Sequence, residues 1–181
     1  MSRAIFLDRD GVINRKAESD DYVKSWNEFV FLPRAVEALA LLGRTDYLLF
    51  VVTNQRGIAR GLMSEGDLCD IHDNMSRQLQ QAGARIDSIF HCPHEKAERC
   101  GCRKPEPGML LEASRQFDVD LKESCIVGDS LSDIEAGVNA GCKELILVGN
   151  SLEQEIDTIE AQYSCFADLY EAASYICKKK S

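Results

Sequence analysis

Two things are scarce in this chain: long apolar runs and surplus positive charge. The longest apolar stretch, Tyr47 to Val52, is six residues, against about 20 for a helix that crosses a bilayer. The first apolar run, Ala4 to Leu7, is cut short by Asp8 and Asp10, so it does not read as a secretory leader. A cytoplasmic protein with no membrane partner is expected. Lys and Arg number 21 against 30 Asp and Glu, a net charge of −9. Nucleic acid demands clustered cations and is excluded as a partner on that ground. A small phosphorylated molecule, which needs only a few local charges, is not. Internal repeats and low-complexity linkers are also missing. What remains is an ordinary globular composition, 45% hydrophobic and 28% charged over 181 residues. That length suits one domain with a sizeable core and is too short for two, so a single domain over 1–181, and a monomer, are expected. Lys178, Lys179 and Lys180 read as a frayed, solvated tail.

Strand and helix signals alternate along the chain. Ala4 to Leu7 reads as a buried strand. Val12 to Leu32 is polar and irregular, a long loop or flap that Trp26 packs down. A helix with Pro33 in its first turn runs through Ala35, Leu39 and Leu42 and ends near Gly43. Tyr47 to Val52 is the second strand. Ser64-Glu65-Gly66-Asp67 resembles a capping box, and Leu68, Ile71, Met75 and Leu79 follow at helical spacing, with His72 on the helix surface. Ile86 to Phe90 is a third strand. A helix follows Pro107, Ser124 to Val127 is a fourth strand, Leu131 to Ala140 a helix, and Glu144 to Val148 a fifth strand. Residues 152 to 178 read as one or two terminal helices with a short strand near Cys165. Such alternation predicts an α/β fold: a doubly wound, Rossmann-like parallel sheet with helices on both faces.

Candidate chemistry falls at the strand ends, where ligands bind in open α/β sheets. Asp8 and Asp10 follow the first strand: one carboxylate can attack as a nucleophile while the other trades protons. An Asx turn closed by Gly11 fits the same residues. Thr53, Asn54 and Gln55 follow the second strand, where a hydroxyl and an amide can donate to a phosphoryl oxygen; a simple turn is the alternative. Arg103 and Lys104 precede the helix after Pro107, where a lysine can place a point charge on a phosphoryl group; the alternative is a solvated basic pair. Asp129 ends the fourth strand, and with Asp8 and one backbone carbonyl it would suffice for Mg²⁺. Asp133 reads either as part of a capping box with Ser130 or as a support for the metal.

Cysteine is abundant, at eight. Cys92, His94, Cys100 and Cys102 lie within eleven residues and match a closed, structural tetrahedral Zn²⁺ site. A disulfide would strand His94 and suits a reducing compartment poorly. The other five, Cys69, Cys125, Cys142, Cys165 and Cys177, read as buried free thiols.

Taken together, Asp8-Arg9-Asp10-Gly11, Thr53, Lys104 and Gly128-Asp129 resemble the four signature motifs of the haloacid dehalogenase superfamily of phosphohydrolases, a likeness running from Phe6 to about Val148. The resemblance implies a phosphoaspartyl mechanism requiring Mg²⁺. Asp8 would attack phosphorus, and Asp10 would protonate the leaving oxygen, deprotonate the hydrolytic water and lend its backbone carbonyl to the metal. Thr53 and Lys104 would hold the phosphoryl group, and Asp129 would complete the metal ligands. Cations are expected to keep Asp8 ionised, while Asp10, near another carboxylate, would hold a proton more easily. Neither interval in which larger members insert a cap domain is long enough here, so an open, capless site is expected.

The Cys-Pro-His loop leading into Cys102-Arg103-Lys104-Pro105 is similar to a branch shared by heptose-bisphosphate phosphatases and histidinol-phosphate phosphatases. Phe6 to Asn14, Thr53 to Gly61 and Pro107 to Leu111 look more like the former, although some of those carry a lysine where this chain has Ser130. The resemblance implies removal of the 7-phosphate from D-glycero-D-manno-heptose 1,7-bisphosphate, a step toward the ADP-heptose of bacterial surface polysaccharides; histidinol phosphate is the alternative substrate. A second phosphate would need further cations: Arg103 first, then Arg56, with Arg60 facing solvent. A phosphate-responsive receiver or binding domain shares the Asp and Lys, but in a receiver the acceptor follows a later strand and the zinc loop has no place.

Overall fold

The first strand alternates its side chains between two apolar layers, and that alternation organises the whole molecule. In the computed structural model, which describes residues 1–18, 21–149 and 161–179, Ile5 and Leu7 of β1 (Ala4–Leu7) enter one core cluster while Ala4 and Phe6 enter the other. The same period-two division recurs in β2 (Leu48–Asn54), β4 (Cys125–Gly128) and β5 (Glu144–Val148), as expected for strands covered on both faces. With β3 (Ser88–Cys92) and β6 (Ser164–Phe166) they form an all-parallel sheet in the order β3-β2-β1-β4-β5-β6.

Helices α1 (Ala35–Leu42), α2 (Glu65–Gln81) and α5 (Leu169–Lys178) cover one face; α3 (Gly108–Phe117) and α4 (Leu131–Ala140) cover the other. Strand order reverses between β1 and β4, so a crevice opens beyond their carboxyl ends. Among the described residues, no additional domain covers it.

Several boundaries differ from those expected. Pro33 lies in the turn before α1, and Arg34, with φ 62°, occupies the cap position. The second strand runs on through Thr53 and Asn54, which pair in register with His91 and Cys92. The third strand begins at Ser88, because Asp87 meets Leu49 partly through its side chain, whose Oδ2 accepts from Leu49 N at 2.7 Å. The capping box at Ser64 and Asp67 is present, but His72 is buried, not on the helix surface, because it faces a buried arginine. Cysteine burial was overestimated: of the five scattered thiols only Cys125 is buried, and Cys69 and Cys165 are exposed. Lys178 closes α5 and Lys179 pairs with Glu144 at 2.8 Å rather than fraying; Lys180 lies outside the described residues, as do residues 152–160 of the expected terminal helix.

The segment after β1 is a pinned flap. Asn14 bridges Phe31 in antiparallel fashion, and Trp26 stacks on Phe29 at 4.9 Å. Val12, Ile13, Val23 and Phe29 are buried beneath it.

Candidate active site

The chain leaves β1 at Asp8, whose backbone N–H still donates to Val127 O of β4 at 2.9 Å. That bond holds the β1 and β4 exits side by side and brings Asp8 and Asp129 to one crevice. The turn then tightens: the N–H groups of Ile13 and Asn14 both donate to Arg9 O. Gly11, at φ 92°, closes it. A Cβ there would sit 1.8 Å from Asp129 Oδ2, so both conformation and space require glycine.

Lys104 reaches this crevice from the loop before α3 and is 4% exposed. Its Nζ lies 3.0 Å from Asp8 Oδ1, 2.6 Å from Asp133 Oδ1 and 2.7 Å from Val52 O. Burial alone would lower its pKa, but Asp133 and Asp8 raise it, so the ammonium stays charged. Asp133 serves both readings of the sequence. One oxygen pairs with Lys104, and the other accepts from Ser130 N at 3.1 Å and Ser130 Oγ at 2.7 Å, capping α4. Gly128 makes this possible, since a Cβ there would meet Asp133 Cβ at 2.1 Å.

Asp10 is held from three sides. Arg9 Nη2 lies 3.0 Å from both its oxygens, Asn14 Nδ2 donates at 2.9 Å and Gln55 Nε2 at 2.8 Å. Gln55 Nε2 also donates to Thr53 Oγ1 at 2.9 Å. Both amides have protein partners as well as a place at the β2 exit. Gln55 orders Asp10 and Thr53, and Asn54 exchanges two 3.1 Å hydrogen bonds with the backbone of Lys104.

The two carboxylates reverse the expected order of acidity. Burial lifts Asp8 to about 7; Lys104 opposes the rise, but Asp133, Asp129 and Asp10 add to it. Burial also acts on Asp10, yet the Arg9 guanidinium and the bonds from Asn14, Arg9 and Gln55 carry it below the usual carboxylate value. Burial raises Asp129 too, against the pull of Lys16, whose Nζ is 2.5 Å away.

These groups suit a hard divalent cation. Carboxylate oxygens of Asp8, Asp129 and Asp133 lie within 4.8 Å of one another, and Mg²⁺ prefers such donors. Asp133 is committed to Lys104 and Ser130, which leaves Asp8 and Asp129 to hold the ion, and a dication would relieve the repulsion that lifts Asp8.

Beside this crevice, Cys92, His94, Cys100 and Cys102 converge. Their Sγ separations are 3.1 to 3.5 Å and His94 Nδ1 lies 3.3 Å from Cys102 Sγ. All four fall within 4.8 Å and none is in a disulfide. Four tetrahedral ligands with Zn–S bonds of about 2.3 Å would stand roughly 3.8 Å apart, so the set fits a closed zinc site. Burial raises the Cys100 thiol, but hydrogen bonds from Cys102 and the Arg103 backbone outweigh it and bring it to about 7. Arg103 Nη1 donates to His94 O at 3.2 Å, tying the loop to the crevice.

A cavity of about 330 Å³ opens between the flap and the β2 exit, lined by Asp10, Lys16, Tyr22, Asn54, Arg56 and Arg103. Arg56 Nε donates to Tyr22 Oη at 2.6 Å. Arg60 is exposed, as expected, and pairs at the surface with Glu95 at 2.6 Å. Sequence reasoning missed Lys16, Tyr22, Asn14, Arg9 and His72. Only Arg9 and Asn14 carried a signal, their place inside the first motif.

Comparison with known proteins identifies the family. A family model described as "HAD-hyrolase-like" matches residues 101–172. The D-glycero-beta-D-manno-heptose-1,7-bisphosphate 7-phosphatase of Bordetella bronchiseptica is 46% identical over 149 residues, 82% of each chain. The D-glycero-alpha-D-manno-heptose-1,7-bisphosphate 7-phosphatase of Campylobacter jejuni is 44% identical, over 84% of this chain and 86% of its own. Among solved structures, the B. bronchiseptica D,D-heptose 1,7-bisphosphate phosphatase complexed with magnesium and phosphate matches with a TM-score of 0.89 at 41% identity, covering 98% of this chain and 99% of that one. The chain belongs to the haloacid dehalogenase superfamily of hydrolases, in the branch of the heptose-1,7-bisphosphate 7-phosphatases.

Proposed function

We propose that this chain is a Mg²⁺-dependent phosphomonoesterase that removes the 7-phosphate of D-glycero-D-manno-heptose 1,7-bisphosphate through an aspartyl-phosphate intermediate. The observation that carries the proposal is the division of labour at the β1 exit. Asp8 lies 3.0 Å from Lys104 Nζ, while Asp10, two residues on, is held by Arg9, Asn14 and Gln55. Asp8 attacks phosphorus, and the bond from phosphorus to the sugar oxygen breaks. Asp10 gives that oxygen a proton, then takes one from the water that cleaves the aspartyl phosphate and releases inorganic phosphate. Its proton affinity is low at rest, and a phosphoryl dianion beside it raises that affinity. The Thr53 hydroxyl, accepting from Gln55, keeps its proton for a phosphoryl oxygen, and Lys104 adds a fixed positive charge. Mg²⁺ on Asp8, Asp129 and the Asp10 carbonyl would neutralise phosphate charge that otherwise repels Asp8.

The cavity supports a doubly phosphorylated sugar, because Lys16, Arg56 and Arg103 line it and cations there can engage the phosphate that is not cleaved. Zinc on the cysteine loop would act indirectly by ordering Arg103. A substrate of this charge does not cross membranes unaided, so the enzyme would work in the cytoplasm.

The test is a turnover panel of both heptose bisphosphate anomers and histidinol phosphate, with phosphorus NMR to identify the ester cleaved. Unmodified protein should prefer the heptose bisphosphate and lose only its 7-phosphate. Asp8→Asn should abolish turnover with an unchanged circular dichroism spectrum. Multiple turnover by that variant would remove the aspartyl-phosphate mechanism; equal or better turnover of histidinol phosphate would replace the substrate.

A further inference from the structure

Arg9 lies between the two site carboxylates in sequence but not in space. Asp8 and Asp10 face the crevice, while the Arg9 side chain turns under the loop and is 0% exposed. There it makes two kinds of contact. Nη2 bridges both oxygens of Asp10 at 3.0 Å each, and Nη1 lies 3.2 Å from His72 Nε2 on α2. The third nitrogen, Nε, has no hydrogen-bond partner. His72 is 8% exposed, and burial with the Arg9 charge lowers its pKa to about 3, so the ring is neutral. A guanidinium only donates; Nε2 must therefore be the accepting nitrogen, with the ring proton on Nδ1.

This arrangement is poor for stability alone. A buried N–H without a partner costs stability, and apolar residues of similar volume commonly replace whole buried ion pairs at no loss or with a gain. It is, however, well suited to hold a carboxylate. The two nitrogens on one rigid plane connect Asp10 to a long helix, and Asn14 and Gln55 complete the cradle. The remaining face of Asp10 looks into the cavity.

We propose that Arg9 and His72 are positioning residues for proton transfer: His72 anchors the Arg9 guanidinium, and Arg9 sets the orientation in which Asp10 meets the departing oxygen. The inference rests on the phosphomonoesterase reading above. It has a consequence that a structural ion pair lacks. Alkoxide leaving groups need a proton as the ester bond breaks, whereas p-nitrophenolate barely does. Displacing Asp10 should therefore penalise alkyl esters selectively.

The experiment compares kcat/KM, which reports steps through leaving-group departure, for a sugar 7-phosphate and for p-nitrophenyl phosphate. Arg9→Met should lower the sugar phosphate value by about 10²-fold or more, within the range for general acid–base groups, and the aryl value at least ~10-fold less. The loss should fall on kcat rather than KM, and some fall in Tm is expected because the substitution removes only one partner of a buried pair. Should Arg9→Met fold poorly, the His72 pair makes the same test. His72→Leu should show the selective loss, and His72→Gln, whose amide oxygen can accept from Nη1, should restore most of it. Equal losses on both esters, or no difference between the two His72 variants, would overturn the inference and leave the phosphatase reading standing. No turnover of any phosphomonoester by the unmodified protein would overturn both.

Discussion

Gly11 concentrates the demands of the site in one residue. It turns the chain at φ 92° while Asp129 packs against the space a side chain would fill. Gly11→Ala should cost about 1–2 kcal/mol through the left-handed conformation alone and displace Asp129 as well, so Mg²⁺-dependent turnover should fall at least ~10-fold. Thermal melts and a Mg²⁺ titration of activity check the two effects separately. Arg103 makes a different kind of contribution. Its guanidinium is steadied by His94 O at 3.2 Å and lines the cavity, so Arg103→Ala should raise KM for the bisphosphate by roughly 10-fold or more, in line with loss of a charge-assisted contact worth about 1.5–3 kcal/mol. Hydrolysis of a simple aryl phosphate should change far less. The ratio of the two kcat/KM values reads the effect directly.

At the scale of elements, α2 links the surface to the catalytic loop. Its capping box starts it, its apolar stripe of Leu68, Ile71, Met75 and Leu79 seats it on the sheet, and His72 then meets Arg9. The histidine carries a pH dependence with a definite sign. Unfolded, it binds a proton below about 6.5; folded, it resists one until about 3. The unfolded state gains protons across that window, so stability falls as pH drops from about 6.5 toward 3. His72→Gln should flatten that limb of a Tm-against-pH curve relative to the unmodified protein, by an amount on the order of a few kcal/mol. Identical slopes would show that folding does not lower the pKa of His72.

At the scale of the whole molecule, the carboxyl edge of the sheet gathers both candidate metal sites. β1 and β4 bring in Asp8 and Asp129, and β3 ends at Cys92, the first zinc-type ligand. Cys102 is followed at once by Arg103 and Lys104, so the cysteine loop sets where both cations enter the crevice. Purified protein should contain one zinc per chain. Cys100→Ser should lower zinc content and activity together while the Mg²⁺ requirement stays the same; metal analysis alongside a Mg²⁺ titration checks this. Full zinc occupancy in the variant would remove Cys100 from the ligand set.

Local pattern was enough to specify the sheet and to place the candidate residues at its strand ends. Apolar runs marked β1, β4 and β5 because strands buried on both faces must be apolar on both, and the limits of α4 and β5 were read from capping and periodicity alone. Asp8, Asp10, Thr53, Lys104 and Asp129 stand out as candidates because each lies at a strand exit or beside a helix start, where side chains meet ligands. Partnership was not legible. Asn54 and Gln55 are expected to donate to substrate, and nothing in the sequence announces their bonds to Lys104 and Asp10. His72 reads as a surface residue because it lies beside the apolar stripe of its helix rather than on it, whereas its neighbour in space is Arg9. The acidity order of Asp8 and Asp10 also escaped, since it depends on how four carboxylates and two cations pack at one crevice. Hydrogen-bond partners and buried charges join residues far apart in the chain, and only the tertiary fold sets those distances.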